Sequence, residues 1–307
     1  MQPIEHSFHQ INGLRMHVAS CGPADGHVLL FLHGFPEYWG EWQKLMARLG
    51  GRFRCVAPDQ AGYNLTDKPK DIARYRAKRL IADVHELAAL VSPGRPFTLV
   101  AHDWGGALAW GYALTHPDRL QGLVILNAVH PGVFQRELTR TPAQATASQY
   151  MLQFRDADAV ARLSAENFAA LWRSLAPAHA AGHLSDAERD GYLAAWGQEG
   201  AVEAMIAWYR AMKLAPPGTD GRAEAGSGEG VYNPDALIVR VPTLVFWGLR
   251  DHALLPGCIE DLDGFVPDLR LVRFPEGTHW VAHEYPDEIA EGIAGFADQR
   301  ATKSMTV

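Results

Sequence analysis

A ten-residue run in the first half of the chain constrains the fold more than any other segment. It reads Thr98-Leu-Val-Ala-His-Asp-Trp-Gly-Gly-Ala107, which is an apolar strand, a tight turn and the start of a helix. In the turn, the small residues Ala101 and Gly105 stand two positions before and after Asp103. This spacing is typical of the strand-turn-helix element that presents a nucleophile at the edge of a parallel sheet. The run therefore predicts an α/β fold with Asp103 as a nucleophile.

The overall composition limits the class of protein. With 307 residues, 48% of them hydrophobic, the chain can form one large α/β domain with an inserted subdomain. The net charge is -7 and no basic stripe is visible, so we expect no nucleic-acid partner. No apolar stretch is long enough to span a membrane, and residues 1–11 do not resemble a signal peptide. The three cysteines suggest free thiols in a reducing compartment, so we expect a cytoplasmic protein. The cysteines are Cys21, Cys55 and Cys258. Both a monomer and a homodimer are compatible with the sequence.

Short apolar runs alternate with helical patterns, which favours a mostly parallel sheet covered by helices on both faces. Leu14–Ser20 predicts one antiparallel strand at the start of the chain. Leu80–Val91 follows helical spacing, and Ala107–Leu114 predicts a buried helix. The six other predicted strands are Val28–Leu32, Phe53–Ala57, Phe97–Ala101, Leu120–Leu126, Pro242–Trp247 and Leu269–Phe274.

The alternation of strands and helices is interrupted in the middle of the chain. Residues 131–232 have helical periodicity and no convincing strand, and Ala215–Gly230 is rich in turn residues. We therefore expect three segments. The α/β core begins with residues 1–130, a helical cap occupies residues 131–232, and residues 233–307 complete the core.

Two further polar residues follow predicted strands, where an open parallel sheet collects its reactive side chains. Asp251 follows the strand that ends at Trp247, and His279 follows the strand that ends at Phe274. The order Asp103, Asp251, His279 is the order of nucleophile, acid and histidine in one class of hydrolytic triads. We expect Asp103 to attack the substrate and His279 to activate water. Asp251 would orient the imidazole and stabilise its cation.

A carboxylate nucleophile implies a particular chemistry. It displaces a group on carbon and leaves an ester, which water must then cleave. This favours epoxide opening or carbon–halogen cleavage over ordinary ester hydrolysis. The turn His33–Pro36 can direct the backbone amide of Phe35 to the same point as the amide of Trp104. Two such donors would form an oxyanion hole.

Several sequence blocks carry a resemblance to a known family. The chain resembles the α/β-hydrolase fold family, and within it the epoxide hydrolases, over nearly its whole length and most strongly outside residues 140–230. The resemblance implies an eight-stranded, mostly parallel sheet flanked by helices, with a helical cap inserted between the sixth and seventh strands. It also implies a cis peptide bond between Phe35 and Pro36. The matching blocks are His33-Gly-Phe-Pro-Glu-x-Trp39, Gly62-Tyr-Asn-x-x-Asp67-Lys-Pro69, His102-Asp-Trp-Gly-Gly106 and His279-Trp-Val-x-His-Glu284.

The same resemblance implies a pair of cap tyrosines that bind the epoxide oxygen. Tyr150, in Ser-Gln-Tyr-Met-Leu-Gln-Phe154, and Tyr209, in Ala-Trp-Tyr-Arg210, match the two family segments. A neutral phenol suits this task because it can stabilise the alkoxide formed on ring opening. Tyr192 is the reserve candidate. We expect a small epoxide and water as substrates, with Phe35 and Trp104 also lining the substrate site.

Two alternatives remain open at this stage. A haloalkane dehalogenase would share Asp103 and use the Trp104 indole to bind halide. It would need a second halide donor, and Phe35 stands where one subfamily has asparagine. Another subfamily uses a cap tryptophan, for which the chain offers Trp172, Trp196 and Trp208. A haloacetate dehalogenase would place arginine directly after the nucleophile, where Trp104 stands. A non-catalytic small-ligand receptor is the other alternative, although a receptor would not need a complete triad.

The paired histidines do not predict a metal site. His179 and His183 are spaced i, i+4, as are His279 and His283, and such pairs can bind zinc on a helix. Gly182 interrupts the first pair, and neither pair encloses the glutamate of a metalloprotease motif. The sequence therefore predicts neither a metal ion nor a cofactor.

Overall fold

The computed structural model describes residues 3–218 and 234–304. Its strands form one sheet. The strands are β1 (Glu5–Ile11), β2 (Leu14–Cys21), β3 (Val28–Leu32), β4 (Arg54–Pro58), β5 (Phe97–His102), β6 (Leu120–Leu126), β7 (Thr243–Gly248) and β8 (Leu269–Phe274). Their order across the sheet is β1-β2-β4-β3-β5-β6-β7-β8. β2 pairs antiparallel with β1 and with β4, and the six strands β3 to β8 run parallel to one another. The predicted eight-stranded, mostly parallel sheet is confirmed.

The burial of each strand follows from its place in the sheet. All residues of β3, β5 and β7 are buried, as expected for strands covered on both faces. The edge strand β1 is different, because only Ile11 at its end is fully buried. Because β1 is mostly polar, its sequence does not show the apolar run of a buried strand, and only the other seven strands were predicted. Leu14–Ser20 was correctly expected to be antiparallel.

Helices cover both faces of the sheet. They are α1 (Gln43–Leu49), α2 (Ala77–Val91), α3 (Asp103–Thr115), α10 (Val281–Glu284) and α11 (Pro286–Ser304). On one face, Val84 and Leu87 of α2 and Trp110 of α3 join a buried apolar cluster with the strands. On the other face, Leu45 of α1 and Ile293 of α11 join a second cluster. Burying these large side chains supplies most of the driving force that holds the layers together.

A further group of helices follows β6 and precedes β7, at the position predicted for the insertion. The inserted helices are α4 (Pro131–Arg140), α5 (Pro142–Ala147), α6 (Tyr150–Gln153), α7 (Ala159–Ala180), α8 (Asp186–Trp196) and α9 (Ala201–Ala211). Many of their buried side chains, such as Trp196 and Trp208, form one cluster with Tyr63 and Leu108 of the core, and others, such as Phe134, join the first cluster. The predicted boundary at residue 232 and residues 219–230 of the predicted return loop lie outside the described residues. No helix in the described part of the chain is long and apolar enough to cross a bilayer.

Candidate active site

Asp103 stands at the sharp turn between β5 and α3. Its backbone φ is 46°, in the left-handed region that side chains other than glycine rarely adopt. Such strain is typical of functional turns that present a side chain. Gly105 explains how the turn can be so tight. A Cβ atom at this position would lie 2.2 Å from the carbonyl oxygen of Leu32, so only glycine lets α3 start this close to β3.

The structure brings together the three residues of the predicted triad. The His279 Nδ1 atom lies 2.6 Å from Asp251 Oδ2, and its Nε2 atom lies 3.7 Å from Asp103 Oδ2. Asp251 is fully buried, whereas the side chains of His279 and Asp103 are 12% and 15% exposed. The histidine therefore stands between a buried carboxylate and one that a small substrate and water can reach.

The surroundings of Asp251 keep it ionised. Its Oδ1 atom accepts hydrogen bonds from the amides of Ala253 at 2.8 Å and Leu254 at 2.9 Å. Its Oδ2 atom accepts one from the Asn127 side chain at 2.7 Å. Burial alone would raise the pKa of Asp251, but His279 and these donors outweigh burial and lower that pKa below its ordinary value. A carboxylate in this state can hold the imidazole in one orientation and stabilise its cation.

Asn127 is a site residue that sequence reasoning did not use in this way. It follows β6, and its side-chain oxygen accepts a hydrogen bond from the Gly248 amide at the end of β7 at 2.9 Å. Its amide group donates to Asp251. Asn127 therefore ties the ends of two neighbouring strands to the buried acid. Its position after a predicted strand was visible in the sequence, but its partner depends on how the strands pair.

The turn His33–Pro36, named the oxyanion loop here because it carries the predicted donor Phe35, lies against Asp103. The Phe35 amide donates to Asp103 Oδ1 at 2.7 Å, and the Phe35–Pro36 bond is cis, which confirms that prediction. A Cβ atom on Gly34 would lie 2.4 Å from the Asp103 Cβ atom, so glycine is needed for this approach. Trp104 is the second residue of α3, and first-turn amides have no partner within their helix. Both predicted donors therefore neighbour the Asp103 carboxyl group.

Tyr150 and Tyr209 lie together beside the nucleophile, with ring centroids 6.1 Å apart. The Tyr209 ring also packs edge-on against Trp104 at 5.0 Å and Phe35 at 5.3 Å. Burial, followed for Tyr150 by the Asp103 charge, raises the pKa of both phenols above the usual value. Both hydroxyl groups are therefore protonated at neutral pH and can donate hydrogen bonds.

The reserve candidate Tyr192 has a different environment. Its hydroxyl donates to Glu37 Oε1 at 2.6 Å and lies 3.2 Å from His283 Nε2. Two of the three cap tryptophans are also engaged with the core. The Trp196 indole donates to the Pro36 carbonyl at 2.6 Å, and the Trp208 indole donates to the Ala61 carbonyl at 3.0 Å. These polar groups fix the inserted helices to the core.

A buried network that sequence reasoning missed lies beneath the oxyanion loop. Glu37, Glu41 and His102 are each no more than 1% exposed. The His102 Nδ1 atom lies 2.9 Å from Glu41 and 3.3 Å from Glu37, and His283 Nε2 lies 2.6 Å from Glu37. Two glutamates at i, i+4 just after an apolar strand were the available signal. The ligand-type atoms of Glu37, Glu41 and His102 lie within 4.8 Å of one another.

Three of the four paired histidines considered for zinc contact carboxylates in this structure. His279 Nδ1 bonds to Asp251, and His283 Nε2 bonds to Glu37. His179 Nε2 lies 2.9 Å from Asp186. The imidazole rings of His279 and His283 therefore bond to different carboxylates.

Comparison with known proteins agrees with the fold. The sequence profile of the α/β-hydrolase fold family matches residues 27–286, so the chain belongs to this family. YfhM of Bacillus subtilis (strain 168), an AB hydrolase superfamily protein, is 32% identical over 288 residues, which cover 93% of this chain and 95% of YfhM. Epoxide hydrolase 2 of Caenorhabditis elegans is 30% identical over 286 residues, which cover 92% of this chain and 76% of that protein.

A solved structure agrees as well. One of the epoxide hydrolases found in metagenomes from hot environments superposes with a TM-score of 0.85 at 37% identity, covering 96% of this chain and 98% of the other. The family resemblance expected from the sequence is confirmed.

Proposed function

We propose that this protein is an epoxide hydrolase that converts epoxides to vicinal diols through an ester on Asp103. One observation carries the proposal. The Asp103 carboxylate stands in a nucleophile turn with His279 3.7 Å away and two protonated phenols, Tyr150 and Tyr209, beside it. The epoxide hydrolases among its relatives support the same reaction.

In the first step, a carboxylate oxygen of Asp103 attacks an epoxide carbon. A new carbon–oxygen bond forms as the ring carbon–oxygen bond breaks, and the electron pair moves to the ring oxygen. Tyr150 and Tyr209 donate hydrogen bonds to that oxygen, where negative charge develops. The alkoxide then takes up a proton and becomes the first hydroxyl group. The product of this step is a hydroxyalkyl ester of Asp103.

In the second step, His279 removes a proton from a water molecule, which attacks the carbonyl carbon of the ester. Asp251 stabilises the imidazolium that forms. The oxyanion of the tetrahedral intermediate accepts hydrogen bonds from the amides of Phe35 and Trp104. Collapse of the intermediate breaks the ester carbon–oxygen bond, and the departing diol oxygen takes up the proton from His279. Asp103 is left as a carboxylic acid, and its proton passes to solvent, which replaces the proton taken up by the alkoxide and restores the carboxylate. One epoxide and one water molecule have become one diol.

The inserted helices would act as the cap of this site, with residues 131–232 as its proposed extent. Tyr150 lies on α6 and Tyr209 on α9, so both phenols come from this part of the chain. Because the inserted helices pack on the core around Tyr63 and Leu108, they would cover the substrate and limit the access of bulk water to the ester.

Two observations weigh against the dehalogenase alternative. A halide site needs a second donor beside Trp104, and Phe35 offers no side-chain donor. The indole groups of Trp196 and Trp208 already donate to backbone carbonyls of the core. Trp172 packs between Tyr192 and Trp196.

The proposed mechanism is tested by trapping the ester. We expect the His279→Gln protein, mixed with styrene oxide, to gain the mass of one epoxide in the intact-protein spectrum, because ester formation does not need the base. Asp103→Asn should show neither adduct nor diol. A His279→Gln protein that binds the epoxide but never gains mass would contradict the mechanism. Halide release from haloalkanes without diol from epoxides would favour the dehalogenase instead.

A further inference from the structure

The buried network beneath the oxyanion loop has a geometry that the proposed reaction does not explain. Glu41 contacts two different parts of the site. Its Oε2 atom accepts the Gly34 amide at 3.3 Å, and its Oε1 atom lies 2.9 Å from His102 Nδ1. The His102 Nε2 atom in turn lies 2.9 Å from the backbone carbonyl oxygen of His279. A continuous chain of contacts therefore runs from the oxyanion loop to the backbone of the proposed base.

The proton positions in this chain follow from its chemistry. A carbonyl oxygen only accepts hydrogen bonds, so His102 Nε2 must carry a proton to bond to His279. The other ring nitrogen faces Glu41 and Glu37, and at least one proton must be shared there because two bare carboxylates would repel each other. Burial and the neighbouring Glu37 raise the pKa of Glu41 well above its usual value. Burial alone would lower the pKa of His102, but Glu41 and Glu37 outweigh burial and raise that pKa above its usual value, so the shared proton is held between the imidazole and the two carboxyl groups.

This chain of contacts connects two groups of the proposed reaction, the Phe35 amide and the His279 imidazole. Gly34 precedes Phe35, whose amide donates to Asp103 Oδ1 at 2.7 Å. The rings of His102 and His279 pack 4.6 Å apart, so His102 touches both the backbone and the ring of the base. In the proposed reaction, the Phe35 amide and the His279 imidazole act together only in ester hydrolysis. They come from different loops, after β3 and after β8, and no covalent neighbour sets their spacing.

We propose that Glu41 and His102 are positioning residues that brace the oxyanion loop against the backbone of His279 for ester hydrolysis. This inference rests on the proposed function and deepens it. Small displacements are costly in such a site, because an error of about 1 Å can slow a reaction about a hundred-fold. A buried brace of close polar contacts would hold the amide and the imidazole at a fixed separation.

Single-turnover kinetics separate the two steps and test the brace. Each protein is mixed with styrene oxide and quenched at intervals, and intact-protein mass follows the formation and decay of the ester. For Glu41→Ala we expect ester formation to be unchanged and decay to slow by about ten- to a hundred-fold, so that the adduct accumulates. The ester of the Glu41→Gln protein should decay at close to the wild-type rate. The glutamine oxygen can accept the Gly34 amide proton, and its NH2 group can donate to His102 Nδ1 once that nitrogen has passed its proton to Glu37, 3.3 Å away.

Matched variants separate positioning from a general loss of packing. Asp83→Ala also removes a buried carboxylate, one that binds Arg74 and Asn12, and should leave both steps unchanged. His102→Phe keeps a ring against His279 but removes both polar contacts, so it should slow decay like Glu41→Ala. His102→Phe also serves as the test if Glu41→Ala does not fold.

Two outcomes would overturn the brace. One is wild-type ester decay in folded Glu41→Ala or His102→Phe, and the other is a Glu41→Gln protein as slow as Glu41→Ala. A wild-type protein that forms no ester would refute the proposed function instead. Crystal structures of the wild type and Glu41→Ala then decide the brace without activity. We expect a changed separation of His279 Nε2 and Asp103 Oδ2, which is 3.7 Å here, and an unchanged separation overturns the inference.

Discussion

At the scale of single residues, the two phenols beside Asp103 are expected to act in ester formation and not in ester decay. Tyr150 and Tyr209 would act only where negative charge develops on the epoxide oxygen. Each single Tyr→Phe change should therefore slow ester formation by about ten- to a hundred-fold, the usual cost of one lost hydrogen bond to a charged group. Ester decay should be unaffected. A variant with normal ester formation and slow decay would contradict the assigned role.

The protonation of the same two phenols predicts how the rate of ester formation depends on pH. An ordinary tyrosine has a pKa of about 10, and burial raises the pKa of Tyr150 and Tyr209 above that value. The phenols lose their donated proton only above the raised pKa. Ester formation measured by single turnover should therefore stay constant from about pH 7 to pH 10, where unshifted phenols would already be half ionised. A fall in the rate of ester formation centred near pH 9 would contradict the prediction that both phenols stay protonated up to about pH 10.

Asn127 provides a second test at this scale. Asn127→Gly tolerates the observed φ of 32° but removes the donor to Asp251 and the acceptor for Gly248. We expect ester decay to slow by about ten-fold, since a hydrogen bond to a charged group contributes about 1.5–3 kcal/mol. Ester formation should not change. Asn64→Gly is the control, because Asn64 also has a positive φ and donates to a buried carboxylate, Asp59, away from the triad.

At the scale of elements, the long helix α7 is interrupted by a short non-helical segment that the sequence pattern does not predict. Glu166, Asn167 and Phe168 have φ values of 50°, 52° and 64°, which makes one left-handed turn. Such a conformation costs roughly 1–2 kcal/mol for each residue other than glycine. Glu166→Gly should therefore raise the free energy of unfolding by up to about 1 kcal/mol, measured by urea denaturation. Glu203→Gly, in the regular part of α9, should lower it by a similar amount.

The elements also show how far sequence reasoning extends. The turn around Asp103 and the strands on either side were predictable because each depends on a local pattern of small, polar and apolar residues. The alternation of strands and helices then placed Asp251 and His279 at the same edge as Asp103. In contrast, β1 lacks an apolar pattern because it lies at the exposed edge of the sheet.

The contacts that Asn127 and Glu41 make around the triad could not be predicted from the sequence, for a different reason. The partner of Asn127 depends on the pairing of β6 with β7. The contacts of Glu41 depend on the approach of His102 from another strand. Both are tertiary facts that no single segment encodes.

At the scale of the whole molecule, a few buried polar contacts join the inserted helices to the core. The Trp196 indole donates to the carbonyl of Pro36, next to the oxyanion donor Phe35. The Tyr192 hydroxyl donates to Glu37, which lies 3.3 Å from His102. The proposed cap is thus anchored within one residue of the groups that would perform ester hydrolysis. Loosening this anchor should affect both cap stability and the second step of the reaction.

Trp196→Phe tests this connection, because phenylalanine fills much of the pocket but leaves the buried Pro36 carbonyl without its donor. An unsatisfied buried acceptor costs about 1–3 kcal/mol, and we expect that decrease in the free energy of unfolding. Hydrogen exchange should become faster in α8 before it changes in the sheet, since the anchor holds α8 locally. Trp172→Phe is the matched control. It trims the neighbouring indole, 6.4 Å from Trp196, without touching that carbonyl. Equal exchange in the two variants would show that packing alone, and not the bond to Pro36, fixes the inserted helices to the site.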